Sequence, residues 1–376
     1  MEQIIITAKD NYIEFNQWIK KNCCKKLLLV CDSSFRYMEG FNKHLKEVEK
    51  KGVEVIRFQD FQPNPLYESV IKGVELFNNE GCDSIISIGG GSAIDVAKCI
   101  KLYSNMHGNG ENGAWLKTKT IPNSIPFLAM PTTAGTGSEA TRYAVIYYNG
   151  VKQSITSEIF IPDTVLMDPS TLKTLPLYQK KATMCDALCH AIESFWSINS
   201  TEESKEYSKA AIQSVLNNMS GYIANTDESN AKMLMAAHIA GKAINITQTT
   251  AGHAMCYKLT SLFQIAHGHA AILCDRVLYP WMIGNINRCC DPRGKEYIKD
   301  NLDEIGKIMG CYDAQSGAEK LIKIFNSLEL TIPKASAEQY EVLKNSVNPE
   351  RLKNHPITLD IDVIDNLYHC ILNGAS

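Results

Sequence analysis

The chain has 376 residues, enough for two domains and a sizeable core, and carries a formal net charge of -3. That balance argues against nucleic-acid or membrane-surface binding. The opening MEQIIITAKDNYIEF lacks the apolar stretch of a secretory signal, and no run of about 18 apolar residues follows, so no membrane span is expected. Thirteen cysteines include two adjacent pairs, Cys23-Cys24 and Cys289-Cys290, and no CxxC ribbon, which fits a reducing cytoplasm.

In chain order, KKLLLVCD reads as a buried strand ending in Asp32, and GVEVIRFQD as a second strand. YESVIKGVELFNNEGC has helical periodicity and stops at Gly81. DSIISIGGGSAIDVAKCIKLY reads as a strand, a glycine turn and a helix, and IPFLAMPTTAGTGSEAT as an apolar strand opening into a Gly/Thr-rich turn. Strands alternating with helices imply a parallel, doubly wound sheet with ligands at the carboxyl ends of its strands. After the linker DPSTLKTLPL the pattern becomes helical. The expected architecture is therefore an α/β, Rossmann-like domain over residues 1–176 and an all-α domain over residues 177–376.

Gly89, Gly90, Gly91 and Ser92 lie between an apolar strand and a helix. Glycines there let the backbone approach a pyrophosphate, and the helix start offers free N–H groups and a positive dipole. The stretch is neither G-x-G-x-x-G, because Ile94 replaces the third glycine, nor a Walker A loop, and an ordinary tight turn is the plainer reading. Thr132 and Thr133 open a second turn able to donate to phosphate or ribose. Asp32, at the end of its strand, can bind a ribose hydroxyl and would repel a 2′-phosphate, which favours NAD(H) over NADP(H); alternatively it caps the next helix.

In the helical half, Asp186 and His190 stand four apart in TMCDALCHAIESFW, and His253 and His267 follow in AGHAMCYKLTSLFQIAHGH. An i, i+4 pair shares a helical face, and one carboxylate with three imidazoles is a ligand set for one divalent metal that suits Zn(2+). Alone, such an Asp/His pair is more often a surface or capping pair. Cys185 and Cys189 point about 100° away from the ligand stripe and are expected to pack. A ligand on the glycine turns would face the metal set across a cleft.

GGGSAIDVAK, PTTAGTGSEAT, IPDTVLMDPSTL, DALCHAIESFW and the segment ending HGHAA, taken together and in this order, resemble the iron-dependent (group III) alcohol dehydrogenase family over nearly the whole chain. The resemblance implies a dehydroquinate-synthase-like fold of two domains, metal ligands for Fe(2+) at Asp186, His190, His253 and His267, and cofactor contacts at Asp32, Gly89, Gly90, Gly91, Ser92, Asp95, Thr132, Thr133 and Lys152. Two positions depart from the family pattern. The second histidine of its HxxxH is Tyr257 here, and its PHG is AHG, with Ala266 expected to loosen the turn before His267. Tyr257 and His269 are the candidates for passing a proton to the product oxygen.

The stretches AINITQTTAGHAMCYKLTSLFQIAHGHAAIL and TRYAVIYYNGVKQSIT resemble the branch containing phosphonoacetaldehyde reductases. A phosphonate needs cationic or N–H donors, for which Arg142, Lys258 and His269 are the candidates. The resemblance thus implies reduction of a small aldehyde in a cytoplasmic homodimer. The alternatives are a general short-chain alcohol or lactaldehyde dehydrogenase, and, from another class, a lyase of the dehydroquinate-synthase type.

Overall fold

In this computed structural model residues 3–9 and 11–373 are described. The chain divides into two compact units, one ending at Leu175 and the other beginning at Pro176.

The first unit is built on strands β1 (Ile4–Thr7), β2 (Lys26–Cys31), β3 (Glu54–Phe58), β4 (Ser84–Gly89), β5 (Phe127–Pro131) and β8 (Thr164–Met167), all parallel in the order β1-β8-β5-β4-β2-β3. Helices α1 (Ile13–Lys21), α2 (Glu39–Lys50), α3 (Tyr67–Glu80), α4 (Gly91–Tyr103) and the single turn α5 (Ala114–Lys117) belong to the same unit. Strand β2 is apolar from Leu27 to Cys31 because both of its faces are covered there. Leu28 and Val30 join a core with residues of α3 and α4, whereas Leu27, Leu29 and Cys31 join a second core with residues of α1 and α2. The chain order reverses at β2, which has β3 on one side and β4 on the other, so the ends of β2 and β4 flank the switch point where such sheets bind ligands.

Two features differ from the reading of the sequence. Strand β2 stops at Cys31, and Asp32 caps the following turn rather than ending the strand. The segment after PTTAGTGSEAT is an antiparallel hairpin, β6 (Tyr143–Tyr148) and β7 (Val151–Thr156), outside the parallel sheet. Its turn is Asn149-Gly150, both with positive φ, the backbone that a two-residue hairpin of matching twist requires.

The second unit is helical: α6 (Leu177–Trp196), α7 (Glu202–Ile223), α8 (Asp227–Thr247), α9 (Ala251–Phe263), α10 (His267–Gly284), α11 (Lys295–Ile308), α12 (Ala314–Ser327), α13 (Ala337–Ser346), α14 (Pro349–Leu352) and α15 (Ile361–Asn373). Helix α6 packs against α7, α8, α10 and α11, so nearly every residue of its second half is buried, polar ones included. No described helix is long and apolar enough to cross a membrane.

His355 is fully buried edge-on to Trp196, and neither ring nitrogen meets a hydrogen-bond partner among the described residues. Burial holds its pKa down at about 4. The unfolded chain takes up a proton near pH 6.5 while the folded chain resists until about pH 4, so stability is full above that window and falls through it as the pH drops. The loss expected between pH 7 and pH 4 is on the order of 3 kcal/mol from this residue. His355→Leu should remove that part of the slope in denaturant titrations at the two pH values. A slope unchanged in the variant would refute it.

Candidate functional site

In the first unit the ends of β2, β4 and β5 lie side by side, with Cys31 paired to Ile88 and Gly89 to Pro131. Asp32 Oδ1 accepts from the Ser34 backbone N–H at 2.8 Å and the Ser34 hydroxyl at 2.5 Å, and Oδ2 accepts from Gly90 N at 3.3 Å. It therefore caps its turn and also ties that turn to the glycine turn, where a Cβ on Gly89 would come within 2.6 Å of Oδ2. Helix α4 starts at Gly91 with no side-chain cap, so its first N–H groups stay available to an anion. Gly90 and Gly91 face Thr133 and Thr136 of the second turn, which brings the two turns together. The residues thus fit a pyrophosphate.

Two residues on α4 hold the second turn in place. Asp95 accepts from the Ser138 hydroxyl at 2.6 Å and from Val145 N at 2.9 Å, so both of its oxygens serve the loop. The buried Lys98 ammonium donates to Ser138 O, Thr141 O and Tyr143 O at 2.6, 2.9 and 2.7 Å and lies 3.1 Å from each of the Ser138 and Thr141 hydroxyls. Burial lowers its pKa to about 8 against the pull of Asp95 and Glu139. Lys152 sits half-buried on β7. Arg142 pairs with Glu158 at 3.0 Å and lies over the Tyr143 ring, so its charge is already matched.

In the second unit, donor atoms of Asp186, His253 and His267 all lie within 4.8 Å of one another. His190 stacks on His253 at 4.4 Å, one turn along α6 from Asp186. The set therefore draws on α6, α9 and α10. Asp186 Oδ1 is 3.4 Å from His253 Nε2. Burial alone would favour the neutral Asp186, but His190, His253 and His267 outweigh it and hold the carboxyl well below the usual range. A buried carboxylate and imidazoles converging on one point suit a divalent cation.

The residue that assembles this set, Glu193, escaped the sequence reading. It lies three positions beyond His190 on the same face of α6, fully buried. One oxygen accepts from the backbone N–H and the hydroxyl of Thr250, each at 2.6 Å; the other accepts from His253 N at 3.0 Å and from His253 Nδ1. Glu193 thereby caps the start of α9 from a neighbouring helix and turns Nε2 of His253 toward Asp186. Burial works against a charged His253, but Glu193 and Asp186 raise its pKa to about 10. Asp275, buried nearby, is driven the opposite way, its pKa raised by burial and by Glu193. A third polar residue on the Asp186/His190 face of a buried helix was the available signal.

Ala266 does not leave its turn loose. Its N–H donates to the Tyr178 hydroxyl at 2.9 Å, a bond that a proline in this position could not make. His269 lies with Nδ1 3.0 Å from the same hydroxyl and Nε2 2.9 Å from Thr331 O. A proton relay through His269 would break one of these contacts. Tyr257 stacks on His267 at 5.3 Å. Cys185 and Cys189 are buried with their thiol pKa values raised by burial, as packing residues should be. Gly268 lets α10 lie directly on α6, since a Cβ there would come 2.0 Å from Ala182 O and 2.6 Å from the Asp186 Cβ.

Two substitutions follow. Glu193→Gln should weaken divalent-metal binding about 10- to 100-fold by removing the carboxylate behind His253. Gly268→Ala should separate α10 from α6 and weaken it at least as much. Competition against a chromophoric chelator measures both, and wild-type affinity in either variant would refute the assignment.

Residues 3–169 match the family model described as iron-containing alcohol dehydrogenase, and residues 180–348 match that of the C-terminal region of the Fe-containing alcohol dehydrogenase family. The chain is 31% identical over 314 residues to the 1,3-propanediol dehydrogenase of Klebsiella pneumoniae, covering 82% of this chain and 79% of that protein. An iron-containing alcohol dehydrogenase structure from Thermotoga maritima matches with a TM-score of 0.83 and 27% identity over 99% of this chain and 98% of that one. A sulfoacetaldehyde reductase from Bifidobacterium kashiwanohense, solved with NAD+, shares the fold with a TM-score of 0.87 and 24% identity over 99% and 97% of the two chains. With both family models covering most of its length, and the metal-donor set assembled by its helical unit, the chain belongs to the iron-containing alcohol dehydrogenase family of NAD(H)- and metal-dependent oxidoreductases.

Proposed function

We propose that this enzyme reduces phosphonoacetaldehyde to 2-hydroxyethylphosphonate with NADH and one divalent metal, iron(II) or zinc. Asp186, His190, His253 and His267 would hold the metal. Asp32, the Gly89–Ser92 turn and the Thr132–Thr133 turn would hold the cofactor, with a contribution from Lys152 and with Asp95 acting from behind through Ser138 and Val145. The observation that supports the metal-dependent chemistry is the buried donor set held by Glu193.

When bound, the metal supplies Lewis acidity toward a carbonyl oxygen and the nicotinamide supplies the hydride. The protein's own part is arrangement. Glu193 holds His253 in the tautomer that keeps Nε2 for ligation, and Tyr178 fixes the turn that delivers His267. Asp32 presents a carboxylate where a 2′-phosphate would have to sit, which selects NADH. The product oxygen needs one proton, and Tyr257 is the hydroxyl beside His267; burial raises its pKa despite Arg351, so it keeps its proton at neutral pH.

A charged substrate is supported by Lys258, half-buried on α9 next to Tyr257 and with no side-chain partner among the described residues. The sulfoacetaldehyde reductase that shares the fold is, by its name, a reductase of a two-carbon aldehyde bearing a tetrahedral anion. The relatedness to a 1,3-propanediol dehydrogenase favours a second reading, an enzyme of uncharged short-chain alcohols.

NADH oxidation by the metal-loaded enzyme separates the two readings. A kcat/KM for phosphonoacetaldehyde at least ~100-fold above those for acetaldehyde, butyraldehyde and lactaldehyde, on the order of 3 kcal/mol, is expected. Equal or better turnover of the uncharged aldehydes would replace the first reading by the second. In the same assay, Asp32→Ala should raise kcat/KM with NADPH relative to NADH about tenfold or more, and an unchanged ratio would remove Asp32 from cofactor selection.

A further inference from the structure

We propose that Arg351 anchors the anionic end of the aldehyde and that Tyr257 is the residue that positions it; the assignment rests on the reading of the substrate as a short anionic aldehyde. The Tyr257 ring stacks on the ring of the candidate ligand His267 at 5.3 Å with an interplanar angle of 18°. The Arg351 guanidinium lies 4.8 Å from the centre of the Tyr257 ring, and its Nη1 donates to the Tyr257 hydroxyl at 3.1 Å. Ligand, ring and cation thus form a continuous ladder no more than about 10 Å long.

The charge on Arg351 is unmatched. The side chain is half-buried, and no ion pair joins it to a carboxylate among the described residues. The adjacent acid, Glu350, is paired with Lys353 at 2.7 Å. A partly desolvated cation without a counter-charge is costly, and an arriving anion removes that cost. Of the five N–H donors in the guanidinium fork, the Tyr257 hydroxyl takes one, leaving a pair free to grip two oxygens of a phosphonate or sulfonate.

The dimensions agree. In a two-carbon aldehyde of this class the carbonyl carbon and the phosphorus or sulfur are two single bonds apart, about 3 Å. To this the C=O bond adds about 1.2 Å and a P–O or S–O bond about 1.5 Å. A ligand contact of about 2 Å at one end and a charge-assisted hydrogen bond of about 2.8 Å at the other then bring the span to the order of the ladder. Tyrosine in place of the family pattern's histidine also acquires a purpose. A phenol oxygen accepts from the guanidinium, whereas an imidazolium would repel it. Arg142, the arginine singled out in the sequence, is spent on Glu158 and Tyr143.

The test compares wild type, R351Q and R351K with phosphonoacetaldehyde, sulfoacetaldehyde, succinate semialdehyde and propanal, and follows methylphosphonate binding by calorimetry without cofactor. We expect the phosphonoacetaldehyde-to-propanal ratio of kcat/KM to fall about 100-fold in R351Q, mainly through KM, and to recover in part in R351K. Methylphosphonate binding should vanish in R351Q. If wild type favours phosphonoacetaldehyde and R351Q keeps the ratio, the role of Arg351 is overturned while the proposed function stands. If wild type instead favours the sulfonate or carboxylate aldehyde and R351Q loses that preference, Arg351 stands and the phosphonate reading falls. A wild type that prefers propanal to every anion overturns both. Should R351Q fail to fold, Tyr257→Phe, which deletes the hydroxyl accepting from Arg351, is the independent variant. Unchanged ratios in it and in R351K overturn the proposal.

Discussion

One buried carboxylate joins the two levels on which the helical unit has to succeed. Glu193 closes the open N-terminus of α9 and, with its other oxygen, fixes the ring of His253. Folding and ligation are therefore coupled through a single side chain. The charge is tolerable inside an apolar helix cluster because each of its oxygens accepts two hydrogen bonds. Trp196 extends the network by donating its indole N–H to the Thr250 hydroxyl at 2.8 Å. Close to Glu193 a second acid, Asp275, is forced toward its neutral form, since two adjacent buried carboxyls cannot both ionise without further cations.

The α/β unit reaches a comparable result by different means. There the backbone does the presenting, through the strand ends and the uncapped start of α4, and buried side chains act from behind. Asp32 links the β2 and β4 turns, while Asp95 and Lys98 hold the loop after β5. Two sequence assignments thereby acquire a double character. Asp32 is a turn cap, the second of the two alternatives left open by the sequence, and it also bonds Gly90 N at the switch point. Asp95 belongs to the glycine-turn motif, yet both of its oxygens are occupied by the protein itself.

Much of this was legible because periodicity and turn chemistry are local. The unbroken apolar run in β2, the Gly81 stop of α3 and the glycine turn before α4 each carry their signal within a few residues. The i, i+4 spacing of Asp186 and His190 likewise needed only one helix. What escaped depends on contacts distant in sequence. Nothing near Arg351 marks it, because Tyr257, its partner, lies 94 residues away. The role of Tyr178 needs Ala266 to be known as a neighbour, 88 residues on. Glu193 and the Asn149-Gly150 hairpin turn differ in kind: the i, i+3 spacing from His190 and the Asn-Gly dipeptide are local signals, but the role of each depends on a partner, His253 or the paired strand, that the local sequence does not name.

The environment of Lys98 has a consequence for the segment that follows β5. All of its acceptors come from the one segment that follows β5, residues 138–143, and the amine is fully buried with that segment packed on α4. An amine-directed acylating reagent cannot reach it in the closed form. The rate at which Lys98 becomes labelled therefore clocks the opening of the loop, while the surface lysines of the same chain react at once and serve as the internal reference. Slow labelling that slows further on adding a dinucleotide would turn a buried structural cation into a direct gauge of the loop's local stability.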